Sequence, residues 1–253
     1  NLGFSYENNS RKILEGLNLE VDSGEFVCIL GKSGCGKSTL LRLLSGLEMP
    51  TYGSIKLNDT EIKEAGLDRA VVFQDYGLFP WFSAGDNISL ALKQKYPDKS
   101  KSEIKNMATE ALKSVGLEED IYYKLPKELS GGMQQRCAIA QAFSLDSPVL
   151  LMDEPFGAID AVTRANLQDL IINLYNNEDQ KKTVFFVTHD VDEAILLANR
   201  IVVLGQSPSK IIFDLKLDKS TVMTRENQFN DKKTIELRNL LIKKINEDIS
   251  NKL

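Results

Sequence analysis

Residues 26–46 carry the strongest constraint on the fold. Phe26-Val-Cys-Ile-Leu30 is a short apolar run, consistent with a strand buried on both faces. It leads directly into Gly31-Lys-Ser-Gly-Cys-Gly-Lys-Ser-Thr39, and Thr39–Ser45 then reads as a helix closing at Gly46. Gly31-x-x-x-x-Gly36-Lys37-Ser38 has the spacing of a phosphate-binding loop. A preceding strand and a following helix are the setting such a loop needs. The bland alternative, a glycine turn that holds no ligand, does not explain why the lysine and the hydroxyls follow in that order.

The chemistry follows from the residue types. Gly31, Gly34 and Gly36, with Ser33 and Cys35 between them, let backbone N–H groups converge on a β-phosphate at the positive end of the next helix. Lys37 is placed to bridge the β- and γ-phosphates, Ser38 to hold Mg²⁺ and Thr39 to touch the α-phosphate. A second glycine-rich motif, Leu129-Ser-Gly-Gly-Met-Gln-Gln-Arg136, lies about a hundred residues further on. One chain does not need two such turns for the same phosphates. The second makes sense if it caps the γ-phosphate of another subunit, which implies an ATPase working as a two-subunit clamp.

Four further residues fit that chemistry. Val149-Leu-Leu-Met-Asp153-Glu154 is an apolar strand ending in two acids, an arrangement that is costly to bury without a partner. Asp153 would meet the Mg²⁺ shell and Glu154 would polarise the attacking water. The competing reading is an exposed acidic turn before Pro155. His189, the only histidine, ends the strand Thr183–Val187 at the edge where parallel sheets bind nucleotides, which favours a γ-phosphate contact over a solvated or structural role. Gln74 ends the strand Ala70–Phe73, where a neutral amide can reach Mg²⁺ or the water without adding charge.

The rest of the chain bounds the architecture. Its 253 residues can bury one large core with an inserted lobe. A net charge of −5 argues against non-specific nucleic-acid binding, so no nucleic-acid partner is expected. Cys28, Cys35 and Cys137 stand at no metal-ligand spacing and read as reduced structural thiols of a cytosolic protein. No run reaches the eighteen or so apolar residues of a membrane span, and no secretory leader pattern is present. The chain starts at Asn1 in mid-strand pattern, so a few residues of the natural start are expected to precede it.

Leu2-Phe4-Tyr6 and Leu17-Leu19-Val21 alternate like strands, and Ser54–Leu57 reads as another. Residues 76–144 are helical in character, over Ser102–Val115 and Gly131–Phe143. Core strands then resume at Val149–Met152, Thr183–Val187 and Ile201–Leu204, with a helix between that shows Leu167, Leu170, Ile171 and Leu174 on one face. Leu237, Leu241, Ile245 and Ile249 mark an amphipathic helix in the tail. Residues 1–75 and 145–253 are therefore expected to form the nucleotide-binding core, and 76–144 a helical lobe.

Taken in order and spacing, Gly31–Thr39, Gln74, Leu129–Arg136, Asp153-Glu154, Ala158-Ile-Asp160 and His189 resemble the ATP-binding cassette ATPases over nearly the whole chain. The resemblance implies an α/β fold: a RecA-like P-loop core with an antiparallel β lobe and an inserted helical lobe. It implies ATP and Mg²⁺ as cofactors. It also implies that Ser130, Gly131 and Gly132 contact the γ-phosphate on the partner's loop, that Asp160 acts across the dimer, and that Tyr6 stacks on adenine. For Tyr6 an ordinary edge-strand tyrosine is the alternative. Gln134 and Gln135 are expected to shape the motif's helix. Two positions depart from the family pattern: Ile159 stands where leucine is usual, and Gln141 where an arginine is common, which puts a salt bridge of the helical lobe in doubt.

Phe73–Trp81 and Val187–Ala194 are similar to the nitrate, sulfonate and taurine importer ATPases. That likeness implies integral membrane permease subunits, an extracytoplasmic solute-binding protein in the same system, and a peripheral place on the cytoplasmic face of the cell membrane; both half-sites are intact in sequence, which favours a homodimer of cassettes over a pair of related chains. Leu78, Phe79, Trp81 and Phe82, in a loop marked by Pro80 and Gly85, would form a surface socket for a short helix of the membrane subunit, or else fill the helical lobe's own core. Only residues 205–253 follow Leu204, too few for an appended regulatory β-barrel. An exporter's ATPase subunit shares the core chemistry. A soluble repair or translation cassette would need coiled-coil heptads or a second phosphate loop, and neither is seen.

Overall fold

The computed structural model describes residues 1–6, 12–157, 159–177, 181–217, 225, 226 and 228–250. In chain order the strands are β1 Leu2–Ser5, β2 Lys12–Leu17, β3 Phe26–Leu30, β4 Lys56–Leu57, β5 Thr60–Glu61, β6 Arg69–Val72, β7 Val149–Asp153, β8 Thr183–Thr188, β9 Arg200–Leu204 and β10 Ile211–Lys216. The α-helices are α1 Lys37–Ser45, α2 Ala84–Lys95, α3 Lys101–Ser114, α4 Gly131–Ser144, α5 Ala161–Asn176, α6 Val191–Leu197 and α7 Lys232–Ser250. The chain divides into two compact units: Asn1–Gly66 with Thr183–Leu253, and Leu67–Lys182.

In the first unit β3 lies between β8 and β9 and is parallel to both, with Leu30 level with Thr188 on one side and Val203 on the other. All five residues of β3 and all five of β9 are buried, as the apolar runs predict for parallel strands covered on both faces. β10 closes the outer edge antiparallel to β9. α1 packs on β8, α6 on β3 and β8, and α7 on α6 and β10. β1 and β2 form an antiparallel pair, and β4 and β5 a short hairpin. The predicted strand over Leu17–Val21 lies earlier, at Lys12–Leu17, because Leu2 pairs with Leu17 and residues 18–21 fall past the ladder. Ser54–Leu57 shortens to the two residues of β4.

In the second unit β6 and β7 are parallel, with Val72 level with Met152. Residues 76–144 contain no strand; α2, α3 and α4 pack on one another there. Ser100 and Glu103 close a reciprocal capping box that starts α3. The predicted apolar face of α5 is rotated: Leu167, Gln168, Ile171 and Tyr175 are buried, while Leu170 and Leu174 lie at its margin. In α7, Thr234 and Leu241 are buried and Leu237 and Ile245 half-buried. The side chain of Ile249, and Ala158, lie outside the described residues. Cys28, Cys35 and Cys137 are buried and free of disulfides, and burial pushes the Cys137 thiol up to about 12.

One ion cluster fastens β9 and β10 to the turn before β3. Arg200 is buried and forks onto Asp214 at 2.9 and 2.8 Å, reaches Glu25 at 3.0 Å, and donates to the Glu20 carbonyl at 2.6 Å. Arg200→Ala leaves that cluster uncompensated, and urea unfolding should show a loss of about 3 kcal/mol. The hydrogen bond from Arg200 holds the Asp214 carboxyl below its usual range. The stabilisation is thus present above the unfolded-state value of about 4 and is lost as pH falls through the folded one.

Candidate functional site

The predicted site residues fall into two sets, one in each unit. In the first unit, β3 delivers the chain into the phosphate loop, whose Gly36 has φ 98°, a left-handed value open to glycine. Gly36 also stands against Ile13 and Leu14 of β2, 3.0 and 2.9 Å from where a Cβ would lie. It supplies no side-chain cap to α1, so the first turn of that helix presents backbone amides in the manner suited to phosphate. Lys37 is 4% exposed, and its ammonium donates to the carbonyls of Gly31 at 3.0 Å and Lys32 at 3.2 Å. Ser33 and Gly34 are exposed, Cys35 is buried behind the loop, Ser38 is half-buried and Thr39 buried.

Tyr6 follows β1 with its hydroxyl 3.4 Å from the Thr39 hydroxyl and its ring edge-on to Phe4. His189 is exposed, one residue past the level pair Leu30 and Thr188, so it and Gly31 leave neighbouring strands at the same sheet edge. The turn carrying it is fixed on both sides. Thr188 donates to the buried Glu193 at 2.6 Å, and Asp190 caps α6 by accepting from the amides of Asp192 and Glu193.

In the second unit the level pair Val72 and Met152 brings Gln74 and Glu154 to the same end of the β6–β7 ladder. The Gln74 amide nitrogen lies 3.6 Å from the position a Cβ on Gly157 would take. Asp153 is the last residue of β7, and both acids are half-buried. Glu154 has φ 42°, left-handed for a residue with a long side chain, and its carbonyl accepts from the Gly157 amide at 3.1 Å. Such a conformation costs about 1–2 kcal/mol, a cost tolerated where it aims a side chain.

Ser130 caps α4, accepting from the Met133 amide at 3.3 Å, and Ser130 and Gly131 are exposed. Gln134 donates to the Leu129 carbonyl at 3.1 Å, which holds the turn before the helix, and Gln135 is fully buried. Arg136 ties α4 to the end of α3 through the Val115 carbonyl. Gly132 is required by contact, since a Cβ there would stand 2.6 Å from the Thr163 methyl on α5. Asp160 caps that same helix, accepting from Val162 and Thr163 at 3.0 Å, and the Thr163 bond holds its carboxyl below the usual range. The starts of α4 and α5 are therefore packed together. The contact between Gly132 and Thr163 was not legible from spacing, nor was Tyr76, whose hydroxyl stands 3.0 Å from a Cβ position on Gly131.

The aromatic group after Gln74 is on the surface. Trp81 is 68% exposed and clusters with Phe79 and Phe82 at ring distances of 5.5 and 6.4 Å. The alternative of a lobe core is thereby removed. Buried Asn87 holds the loop rigidly, accepting from the Phe79 amide at 2.7 Å and donating to the carbonyls of Phe79, Phe82 and Ser83. Gly85 does not belong to the loop; it lies in the first turn of α2 against the Tyr122 ring.

A phosphate loop in one unit, with an acid-ended strand and a capped glycine turn in the other, is the residue set of one family. The family model described as ABC transporter matches residues 14–157. The chain belongs to the ABC transporter family. It is similar to the nitrate import ATP-binding protein NrtD of Synechococcus elongatus, 49% identical over 199 residues that cover 79% of this chain and 72% of that protein. The bicarbonate transport ATP-binding protein CmpD of the same organism is 45% identical over 203 residues, covering 80% and 72%. Among solved structures, a dimeric post-hydrolysis state of the ATP-binding cassette MJ0796 bound to ADP and Pi is 32% identical. It superposes with a TM-score of 0.74 over 86% of this chain and 96% of that one. The fold is that of an ABC ATPase, a P-loop α/β core with an antiparallel β pair and a helical segment, and the chain is an ATP-hydrolysing subunit of this family. Among the described residues no helix is long and apolar enough to cross a membrane.

Proposed function

We propose that this ABC ATPase powers an importer of small inorganic anions, of the nitrate or bicarbonate kind, through separate membrane permease subunits and a solute-binding protein of the same system. It would work as a peripheral subunit on the cytoplasmic face of the membrane. The observation that carries the transport reading is the exposed Phe79–Trp81–Phe82 cluster, held rigid by Asn87 directly after Gln74. A compact aromatic patch on a braced loop suits the apolar face of a short partner helix. The similarity to the nitrate and bicarbonate subunits supports the choice of solute class.

Two cassettes would close on two ATP molecules, each nucleotide lying between the Gly31–Thr39 loop of one and the Ser130–Gly132 turn of the other. Lys37 and the loop amides bind and orient the phosphates, Tyr6 stacks on the base, and His189 steadies the γ-phosphate. Glu154 takes the proton of the attacking water while Gln74 orients it, and Asp160 links the two half-sites across the dimer. Ser38, Asp153 and Gln74 would hold Mg²⁺, which neutralises phosphate charge when bound. Among the described residues no cluster of three or more His, Cys, Asp or Glu side chains forms a metal cage. A hydroxyl, an amide and one carboxylate that share the ion with phosphate oxygens fit Mg²⁺ well.

Trp81→Glu tests the transport reading. It should cut co-purification with the permease, and anion uptake by the assembled system, by at least about tenfold, while ATP hydrolysis by the cassette alone changes less than twofold. Undiminished uptake would remove the docking role. Labelled nitrate and bicarbonate, offered to the reconstituted system, separate the two solutes; uptake of neither would reject the solute class.

A further inference from the structure

One hydrogen bond to the phosphate loop comes from the far side of the sequence. Ser209 is fully buried in the turn between β9 and β10, and its hydroxyl donates to the carbonyl of Cys35. That carbonyl belongs to the peptide joining Cys35 to Gly36. A trans peptide points its C=O and its N–H in opposite directions. Holding the Cys35 oxygen inward therefore turns the Gly36 N–H outward, to the side where a phosphate must lie. A peptide next to glycine can flip at small cost, because glycine accepts either sign of φ. Gly36, at φ 98°, has that freedom.

Ser209 is itself held through both of its backbone groups. Its amide donates to Ile13 at 2.8 Å, and its carbonyl accepts from Glu15 at 3.0 Å, which locks it to β2. The same turn is fixed from α7, where the Asp248 carboxylate accepts from the Gln206 amide at 2.7 Å. Next to it, a Cβ on Gly205 would meet Asp248 and Ile212 at 2.9 Å. All of these contacts lie within the first unit.

We infer that Ser209 is a positioning residue for nucleotide binding: its hydroxyl, anchored by β2 in a turn that Asp248 also holds, fixes the Cys35–Gly36 peptide so that the Gly36 amide faces the phosphates. The inference rests on the loop being the phosphate site, and Lys37→Ala serves as the control for that reading. In Ser209→Ala the dissociation constants for ATP and ADP should rise about five- to thirtyfold, as expected for losing one buried hydrogen bond. KM should rise by the same factor while kcat at saturation stays within about threefold. A purely structural serine would lower the unfolding midpoint and leave KM of the folded chain alone. If the alanine chain does not fold, Ser209→Cys keeps the volume, loses the strong donor, and is read in its place. Nucleotide affinity within twofold of native, alongside a Lys37→Ala chain whose ATP affinity falls about 10²-fold, would overturn the inference and leave the site intact. An unaffected Lys37→Ala chain would overturn both.

Discussion

Replacing Glu154 by glutamine is expected to lower ATP turnover by about 10²-fold or more while ATP still binds, since a positioned base contributes that much to a hydrolytic step. Glutamine keeps the length and the hydrogen-bonding shape but cannot accept the proton of the attacking water. The backbone argues for the same residue. The left-handed φ of 42° at Glu154 is held by the Gly157 bond and by burial of the neighbouring Phe156, and it is not a conformation a glutamate adopts unforced. Glu154→Gly separates the two roles: it should relieve about 1 kcal/mol of strain, raising the unfolding midpoint, and still abolish turnover. Single-turnover hydrolysis and size-exclusion chromatography with ATP check both variants. The glutamine chain should hold ATP and stay paired, because in the proposed cycle hydrolysis reopens the dimer. Native turnover in that chain would take the catalytic role away from Glu154.

The second large effect is at Lys37. Its ammonium is almost completely buried against its own loop, on the carbonyls of Gly31 and Lys32. That places a compact positive charge where β- and γ-phosphate oxygens are proposed to sit. Lys37→Ala should raise the dissociation constant for ATP about 10²-fold, consistent with losing a buried charge-assisted contact or two. Lys37→Arg should not rescue it, because a planar fork cannot occupy the position of a point charge in a tight loop. Equilibrium binding of a fluorescent ATP analogue reads both. A weakening of less than about fivefold in the alanine chain would reject Lys37 as a phosphate contact and, with it, this loop as the phosphate site.

The contrast between these two residues shows what sequence can and cannot reveal. The loop around Lys37 was legible because a fixed spacing of glycines, lysine and hydroxyl has few other uses, and because an apolar run and a helical pattern flank it. β3, β7, β8 and β9 were legible for a related reason: strands buried on both faces are continuous apolar runs. β10 was not, since it is an edge strand with half-exposed residues and pairs antiparallel with β9. The shift of β2 toward Lys12–Leu17 also escaped, because alternation alone does not say where the partner strand ends. The left-handed turn at Glu154 has no residue signature, and Ser209 reaches Cys35 across 174 positions of sequence. Aromatic exposure at Trp81 needed the side chain of Asn87, which no periodicity marks.

The most direct test of the two-subunit clamp is complementation between two inactive chains. Lys37→Ala removes the phosphate loop's charge, and Ser130→Arg blocks the Ser130–Gly132 turn. A mixed dimer of the two keeps one site whole, with the native loop from one chain and the native turn from the other. Mixed in equal amounts, with exchange of subunits confirmed by labelled chains, they should recover up to about a quarter of the native ATPase rate, since half of a randomly paired two-fold population is mixed and each mixed dimer has one of its two sites. A mixture that stays at the rate of its inactive components, with mixed dimers present, would contradict a site shared between subunits.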